Sequence, residues 1–205
     1  MQQRTVPGAP EPVAAPPFVV VVASSMGGVA ALGELLGPLP AEFPAAVMVV
    51  QHLSPDHPSR LAAILRGRTA LRVQDAAGGE AMRAGTVYLA PPARHLVVDA
   101  GGTLSLSDAP PVHFCRPSAD VLFESAAAAF GERVVAVVLT GRDSDGSRGA
   151  AEVRRMGGSV LAQDPATAVV PSMPINAIRT GAVERVLPLA GIAPALLQLV
   201  SREHE

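Results

Sequence analysis

The sequence predicts an α/β domain built on a doubly wound, mainly parallel sheet, and three observations carry that expectation. Short apolar runs rich in β-branched residues recur along the chain, most of them lack polar alternation, and helix-length segments separate them. Runs that are apolar throughout fit strands buried on both faces, as in a parallel sheet covered by helices. The alternation of strand and helix is the signature of βαβ units.

Residues 18–23 (Phe-Val-Val-Val-Val-Ala) form the first run, succeeded by a Gly-containing turn and an amphipathic stretch over 28–36. The run at 46–51 leads into a loop and a helical segment over 58–66. The middle breaks the rhythm with strand-like segments at 86–90, 95–99 and 103–107. The last two are joined by Ala100-Gly101-Gly102, a hairpin signal, expected to sit at one edge of the sheet. A helix is expected over 117–130, with Ser118 as its cap and Val121, Leu122, Ser125 and Ala129 as a small-residue packing face. Residues 133–139 form another apolar run, succeeded by a Gly-rich turn and a helix over 147–156. A strand at 159–163 and a final helix over 192–200 complete the chain, with no internal repeat.

The first 17 residues contain five prolines and read as a disordered Pro/Ala-rich tail, with the folded domain over 18–205. A length of 205 residues suits one domain, and with aromatics at 3% its core must be aliphatic. All 16 basic residues are Arg. The absence of lysine excludes a Schiff-base lysine, a Walker-type phosphate lysine and a Ser-Lys dyad. The net charge of −2, with Arg scattered singly, gives no footprint for nucleic acid. The lone Cys115 excludes an internal disulfide and suits a reducing compartment. No run approaches the ~20 apolar residues of a membrane span and no signal-peptide pattern is present, so a cytoplasmic location without membrane insertion is expected.

Ligands of open parallel sheets bind beyond the C-terminal strand ends, so the active site is expected there. Ser24-Ser25-Met26-Gly27-Gly28 come after the first run, His52 after the second, and Thr140 to Gly146, with Asp143 and Asp145, after the run at 133–139. Three strands thus deliver a serine, a histidine and an aspartate to one edge. A serine hydroxyl is a poor nucleophile until an imidazole takes its proton, and a carboxylate must orient that imidazole. A tight strand-to-helix turn also offers free N–H groups for an oxyanion. Each piece alone has a plainer reading: Ser24 and Ser25 as helix caps, the Ser-Met-Gly-Gly turn as a phosphate cradle, His52 as a loop histidine, and Asp143 and Asp145 as a cap or cation site. Metal binding by His52 and His57 finds no further ligands in the sequence, and no metal or cofactor is expected.

Six ordered motifs over 18–200 resemble the catalytic domain of the CheB-type protein-glutamate methylesterases. Ala23-Ser24-Ser25-Met26-Gly27-Gly28 resembles the family's nucleophile turn, Gln51-His52 its strand-end histidine, and Leu139-Thr140-Gly141 through Asp145-Gly146 its aspartate turn. Tyr88-Leu89-Ala90-Pro91 with His95, Arg116-Pro117-Ser118-Ala119-Asp120, and Met173-Pro174 with Ala177 fill the remaining places. The resemblance implies a serine esterase that removes methyl groups from glutamate side chains on chemoreceptor cytoplasmic helices, releases methanol, and deamidates some receptor glutamines. Ser25 would be the nucleophile, His52 the base and Asp145 its orienting carboxylate. Met26 N–H, Gly27 and Arg142 would face the oxyanion and substrate, with Arg94 and Arg116 as further candidates to meet an acidic helix. A small-ester hydrolase and a degenerate receptor- or nucleotide-binding paralogue are the alternatives.

The chain departs from the family pattern at Ala23, where Gly is usual, at Met26, where Thr is common, and at Arg142-Asp143, where Met-Gly is usual. The last leaves open which aspartate faces His52. Cys115 stands where a histidine is common. Family members usually carry a phosphorylatable receiver domain ahead of the catalytic domain, and the first 17 residues are too few to form one. The expectation is a stand-alone esterase or a catalytic fragment, without autoinhibition in cis.

Overall fold

The computed structural model describes residues 15–52 and 59–201. In chain order the elements are β1 (Phe18–Ser24), α1 (Gly28–Leu36), β2 (Ala45–Gln51), α2 (Leu61–Arg66), β3 (Arg72–Asp75), β4 (Thr86–Leu89), β5 (His95–Asp99) and β6 (Thr103–Ser107). Then come α3 (Ala119–Phe130), β7 (Val134–Val138), α4 (Ser147–Arg155), β8 (Ser159–Gln163), α5 (Ser172–Arg179), β9 (Arg185–Leu187) and α6 (Leu189–Val200). Most of the expected N-terminal tail, and His57, lie outside the described residues.

Seven strands form one sheet in the order β3-β4-β2-β1-β7-β8-β9, and every neighbouring pair is parallel. The reason the strand sequences lack alternation is visible in the packing. Val20 and Val22 of β1, Val47 and Val49 of β2, and Val135 and Val137 of β7 point to one face, where Leu32 and Leu35 of α1, Leu65 of α2 and Leu196 of α6 cover them. Val19, Val21, Met48, Val50, Ala136 and Val138 point to the other, beneath Leu122 and Phe123 of α3, Val153 of α4 and Met173 of α5. Burial of both faces makes every position apolar.

Four expectations are corrected in detail. The hairpin of β5 and β6 forms its own two-stranded antiparallel sheet instead of extending an edge of the main one. Its Leu96, Val98 and Leu104 pack into the same core as α3, and Val98 N–H donates to Ser125 Oγ at 3.1 Å. The edge positions go to β3 and β9, which the sequence reading leaves out because their mostly exposed residues form no apolar run. The buried face of α3 is Leu122, Phe123, Ala126, Ala127 and Phe130, while Val121, Ser125 and Ala129 are only partly covered. Ser118 stands at the N-cap position of α3 without a side-chain capping bond. The final helix begins three residues earlier than expected, at Leu189 instead of Ile192.

Candidate active site

The carboxyl ends of β1, β2 and β7, the three central strands, bring Ser25, His52 and Asp145 to one edge. The chain leaves β1 through a turn closed by Gly28 N–H to the Ser25 carbonyl at 2.8 Å. Gly27 sits there at φ +82, the left-handed region open to glycine. Gly28 answers a different need. A Cβ at this position would lie 2.0 Å from Gln51 Oε1, so the glycine makes room for a side chain of the protein and not only for a substrate.

Gln51 is the brace between the first two strands, and the sequence gives it no role beyond standing before His52. Its Oε1 accepts from Ser24 Oγ at 2.7 Å, and its Nε2 donates to the carbonyls of Ser25 at 2.8 Å and His52 at 3.0 Å. A third tie joins Ser25 N–H to the Thr140 carbonyl at 3.0 Å, fixing the serine turn to the end of β7. Gly141 lies beneath it, where a Cβ would fall 2.1 Å from Met173 Sδ and 2.8 Å from Ser25 Cβ. Met173, 32 residues further along the chain, thus packs against the end of β7, and its N–H donates to the Gly141 carbonyl at 3.0 Å.

Asp145, not Asp143, faces the histidine: His52 Nε2 lies 2.8 Å from Asp145 Oδ2. Asp143 is exposed at φ +78 on the rim of the same cavity, and its carbonyl accepts from Asn176 Nδ2 at 2.7 Å and Ser172 Oγ at 3.3 Å. Asp145 is buried and accepts three further hydrogen bonds, from Ser118 Oγ at 2.7 Å, Ala119 N–H at 2.7 Å and Asp120 N–H at 3.1 Å. Ser118 therefore serves a carboxylate 27 residues away instead of its own helix. His95 holds the corner in turn. Its Nδ1 accepts from Ser118 N–H at 3.1 Å, and its Nε2 donates to the Pro110 carbonyl at 3.2 Å.

The electrostatics reflect this arrangement. Burial opposes ionisation of Asp145, but the hydrogen bonds from His52, Ala119, Ser118 and Asp120 outweigh it and hold the carboxyl below its ordinary value. Burial also opposes protonation of His52. The Asp145 hydrogen bond and the neighbouring Cys115 sulfur outweigh that too, and raise its pKa above the usual 6.5. Asp120, buried beside Asp145, is raised chiefly by desolvation.

Ser25 and His52 line a common cavity of about 360 Å³ with Ala93, Phe114, Cys115 and Arg116. No hydrogen bond joins Ser25 Oγ to His52 among the described residues. The N–H groups of Met26 and Gly27 have no acceptor among the described residues, whereas the Met26 side chain is exposed to solvent. Arg142 is exposed and does not line this cavity. Arg94 is occupied by Asp108 and the Leu106 carbonyl, whereas Arg116 does reach the cavity wall. Phe114 projects fully exposed from a tight turn, in which Val112 and Cys115 exchange both backbone hydrogen bonds.

A parallel doubly wound domain with a serine, a half-buried histidine paired to a buried aspartate, and N–H groups without a described acceptor at one strand edge has the layout of an α/β hydrolytic domain. The family model described as CheB methylesterase matches residues 20–196. This chain belongs to the CheB methylesterase family. It is 44% identical over 186 residues to the protein-glutamate methylesterase FrzG of Myxococcus xanthus, covering 90% of this chain and 56% of that protein. It is 42% identical over 185 residues to a protein-glutamate methylesterase/protein-glutamine glutaminase of Symbiobacterium thermophilum, covering 90% of this chain and 51% of the relative. The crystal structure of the Thermotoga maritima CheB methylesterase catalytic domain superposes with a TM-score of 0.86 at 37% identity, covering 89% of this chain and 98% of that one. The chain thus spans about half the length of the curated relatives it matches, and nearly all of that catalytic domain. Among the described residues, no helix is long and apolar enough to cross a membrane.

Proposed function

We propose that this domain hydrolyses glutamate methyl esters on chemoreceptor cytoplasmic helices to glutamate and methanol, with Ser25 as nucleophile, His52 as general base and Asp145 as its orienting carboxylate. The observation that carries the reading is the His52–Asp145 contact of 2.8 Å in the wall of the cavity that Ser25 also lines. Neutral His52 takes the Ser25 proton as the hydroxyl oxygen attacks the ester carbonyl. The tetrahedral oxyanion meets the free N–H groups of Met26 and Gly27. His52 then protonates the departing methoxide, and a water molecule, deprotonated by His52, releases glutamate from Ser25. The same site would accept a glutamine side chain and release ammonia, in keeping with the names of two-activity relatives. The domain would work in the cytoplasm, where the receptor helices lie.

Ser25→Ala is the direct test. The expected result is loss of methanol release from methylated receptor by a factor on the order of 10⁶, the cost of removing the serine of such a unit, with an unchanged circular dichroism spectrum. Undiminished turnover would sink the assignment. A serine-directed fluorophosphonate separates the alternative of a binding paralogue: labelling of Ser25 that depends on His52 supports catalysis, and absence of labelling supports a binding role.

A further inference from the structure

One side chain of the cavity wall, Cys115, takes no part in the proposed ester hydrolysis. A ring nitrogen of His52, Cys115 Sγ and a carboxylate oxygen of Asp145 lie within 4.8 Å of one another. The sequence separates them by 63 and 30 residues, so no local spacing announces the set. We propose that His52, Cys115 and Asp145 form a site for a thiophilic divalent cation of the zinc class, and that its occupancy switches the hydrolytic centre off. The inhibitory half rests on the function proposed above; the binding half does not.

Nitrogen, thiolate sulfur and carboxylate oxygen are the ligands such a cation prefers, with bonds of about 2.0–2.3 Å. A tetrahedral set with those bonds spaces its ligand atoms roughly 3–4 Å apart. The 2.8 Å His52–Asp145 contact would open by a fraction of an ångström, and the sulfur, within 4.8 Å of both partners, would draw in toward the metal. Binding replaces one proton held between His52 and Asp145 and a second on the Cys115 sulfur, both released to solvent. One thiolate and one carboxylate then neutralise the two charges of the cation. Three protein ligands leave the fourth position facing the cavity, open to water.

The surroundings suit this role. Asp145 keeps its hydrogen bonds from Ser118, Ala119 and Asp120 when His52 turns to the metal, so its carboxylate stays oriented. Cys115 is anchored by its paired backbone bonds with Val112, 2.8 and 3.1 Å long. Metal on His52 occupies the lone pair or proton that the reaction needs, so the bound form would not hydrolyse ester.

The chain has a single thiol, and that makes the test specific. Titrating the purified protein with Co²⁺ or Cd²⁺ should produce a sulfur-to-metal charge-transfer band saturating at one metal per chain. Zn²⁺ should abolish that band by competition and slow iodoacetamide alkylation of Cys115 at least tenfold. Cys115→Ser should lose the band, and His52→Ala, whose thiol remains, should lose the protection. Absence of the band in the unaltered protein, saturation at half a metal per chain, or equal protection in His52→Ala would overturn the site. In the second arm, Zn²⁺ should suppress methyl-ester hydrolysis at least tenfold, reversibly with chelator. Cys115→Ser, scaled to its own metal-free rate, should resist. Binding without inhibition would overturn the switch, whereas an unaltered protein with no esterase activity even without metal would count against the proposed function and leave the binding arm to decide the site.

Discussion

At the aspartate end of the cavity, Asp145 is buried and accepts four hydrogen bonds, from His52, Ser118, Ala119 and Asp120. At the serine end, Met26 and Gly27 present backbone N–H groups that no described residue accepts, and Ser25 is only half-buried. The two ends thus distribute polar satisfaction in opposite ways. Asp145, the proposed orienting group, has its hydrogen bonds complete without substrate, because an unpaired buried carboxylate would be costly. The reacting end is left unfinished, because its donors are useful only if a developing oxyanion can take them. Preorganisation here sits behind His52, the proposed base, while vacant hydrogen-bonding capacity sits at Ser25, the proposed nucleophile.

Breaking the finished end should have the largest effect after loss of Ser25 itself. Asp145→Asn keeps the shape but removes the charge that fixes the His52 tautomer, and should lower kcat by about 10⁴-fold; a loss under tenfold, measured as methanol release, would show that Asp145 does not orient the base. Gly141→Ala attacks the other end through packing. The added Cβ would meet Met173 Sδ and Ser25 Cβ, and a displacement of about 1 Å should cost roughly 10²-fold in rate. A comparable rate with wild-type fluorophosphonate labelling would show that the turn absorbs the methyl group. Ser118→Ala removes one of the four bonds to Asp145 and should lower kcat about tenfold, with KM little changed. Restoration by Ser118→Thr would point to the hydroxyl and not to the helix end.

The smallest effect is the pH dependence, and its sign sharpens the comparison. His52 is raised, so the neutral base accumulates only as pH climbs past that raised value, and the acid limb of kcat/KM should lie above pH 6.5. Asp145→Asn should move the limb down. The stability contributed by raised His52 is complete below its unfolded value of 6.5 and fades as pH rises through the folded one. That of lowered Asp145 is complete above its unfolded 3.8 and fades as pH falls through its folded value. The Tm penalty of Asp145→Asn should therefore be greatest between about pH 4 and 6.5 and shrink toward alkaline pH. A penalty that grows with pH would reverse the assignment of charge.

Much of the molecule is legible in its residues. The four runs that become β1, β2, β7 and β8 announce themselves because burial on two faces favours nearly unbroken apolar sequence. Ser25, His52 and Asp145 are legible because each stands in the turn that ends such a run, and a parallel sheet gathers its carboxyl ends on one edge. The choice between Asp143 and Asp145 is not legible, because two residues apart they share the same turn. Only backbone geometry turns one inward and leaves the other at φ +78 in solvent. Ser118 carries an N-cap signal that its side chain does not obey, because the buried Asp145 carboxylate takes its hydroxyl and accepts the Ala119 and Asp120 N–H groups of the buried helix end in its place. Arg142 lies on the aspartate turn by sequence yet outside the cavity, since consecutive turn residues diverge.

What the sequence determined by itself is local or periodic: the parallel α/β class, the strand ends, the residue types available for chemistry, and the exclusion of any lysine mechanism. What tertiary structure decided is every relation across long loops. It set the hairpin apart as a second sheet, put Gln51 between two strand ends, brought Ser118 to Asp145, and placed Cys115 beside His52. The physical reason is the same in each case. Apolar periodicity is dictated by the chain's own burial pattern, whereas a hydrogen bond between residues tens of positions apart exists only once packing has brought its partners together.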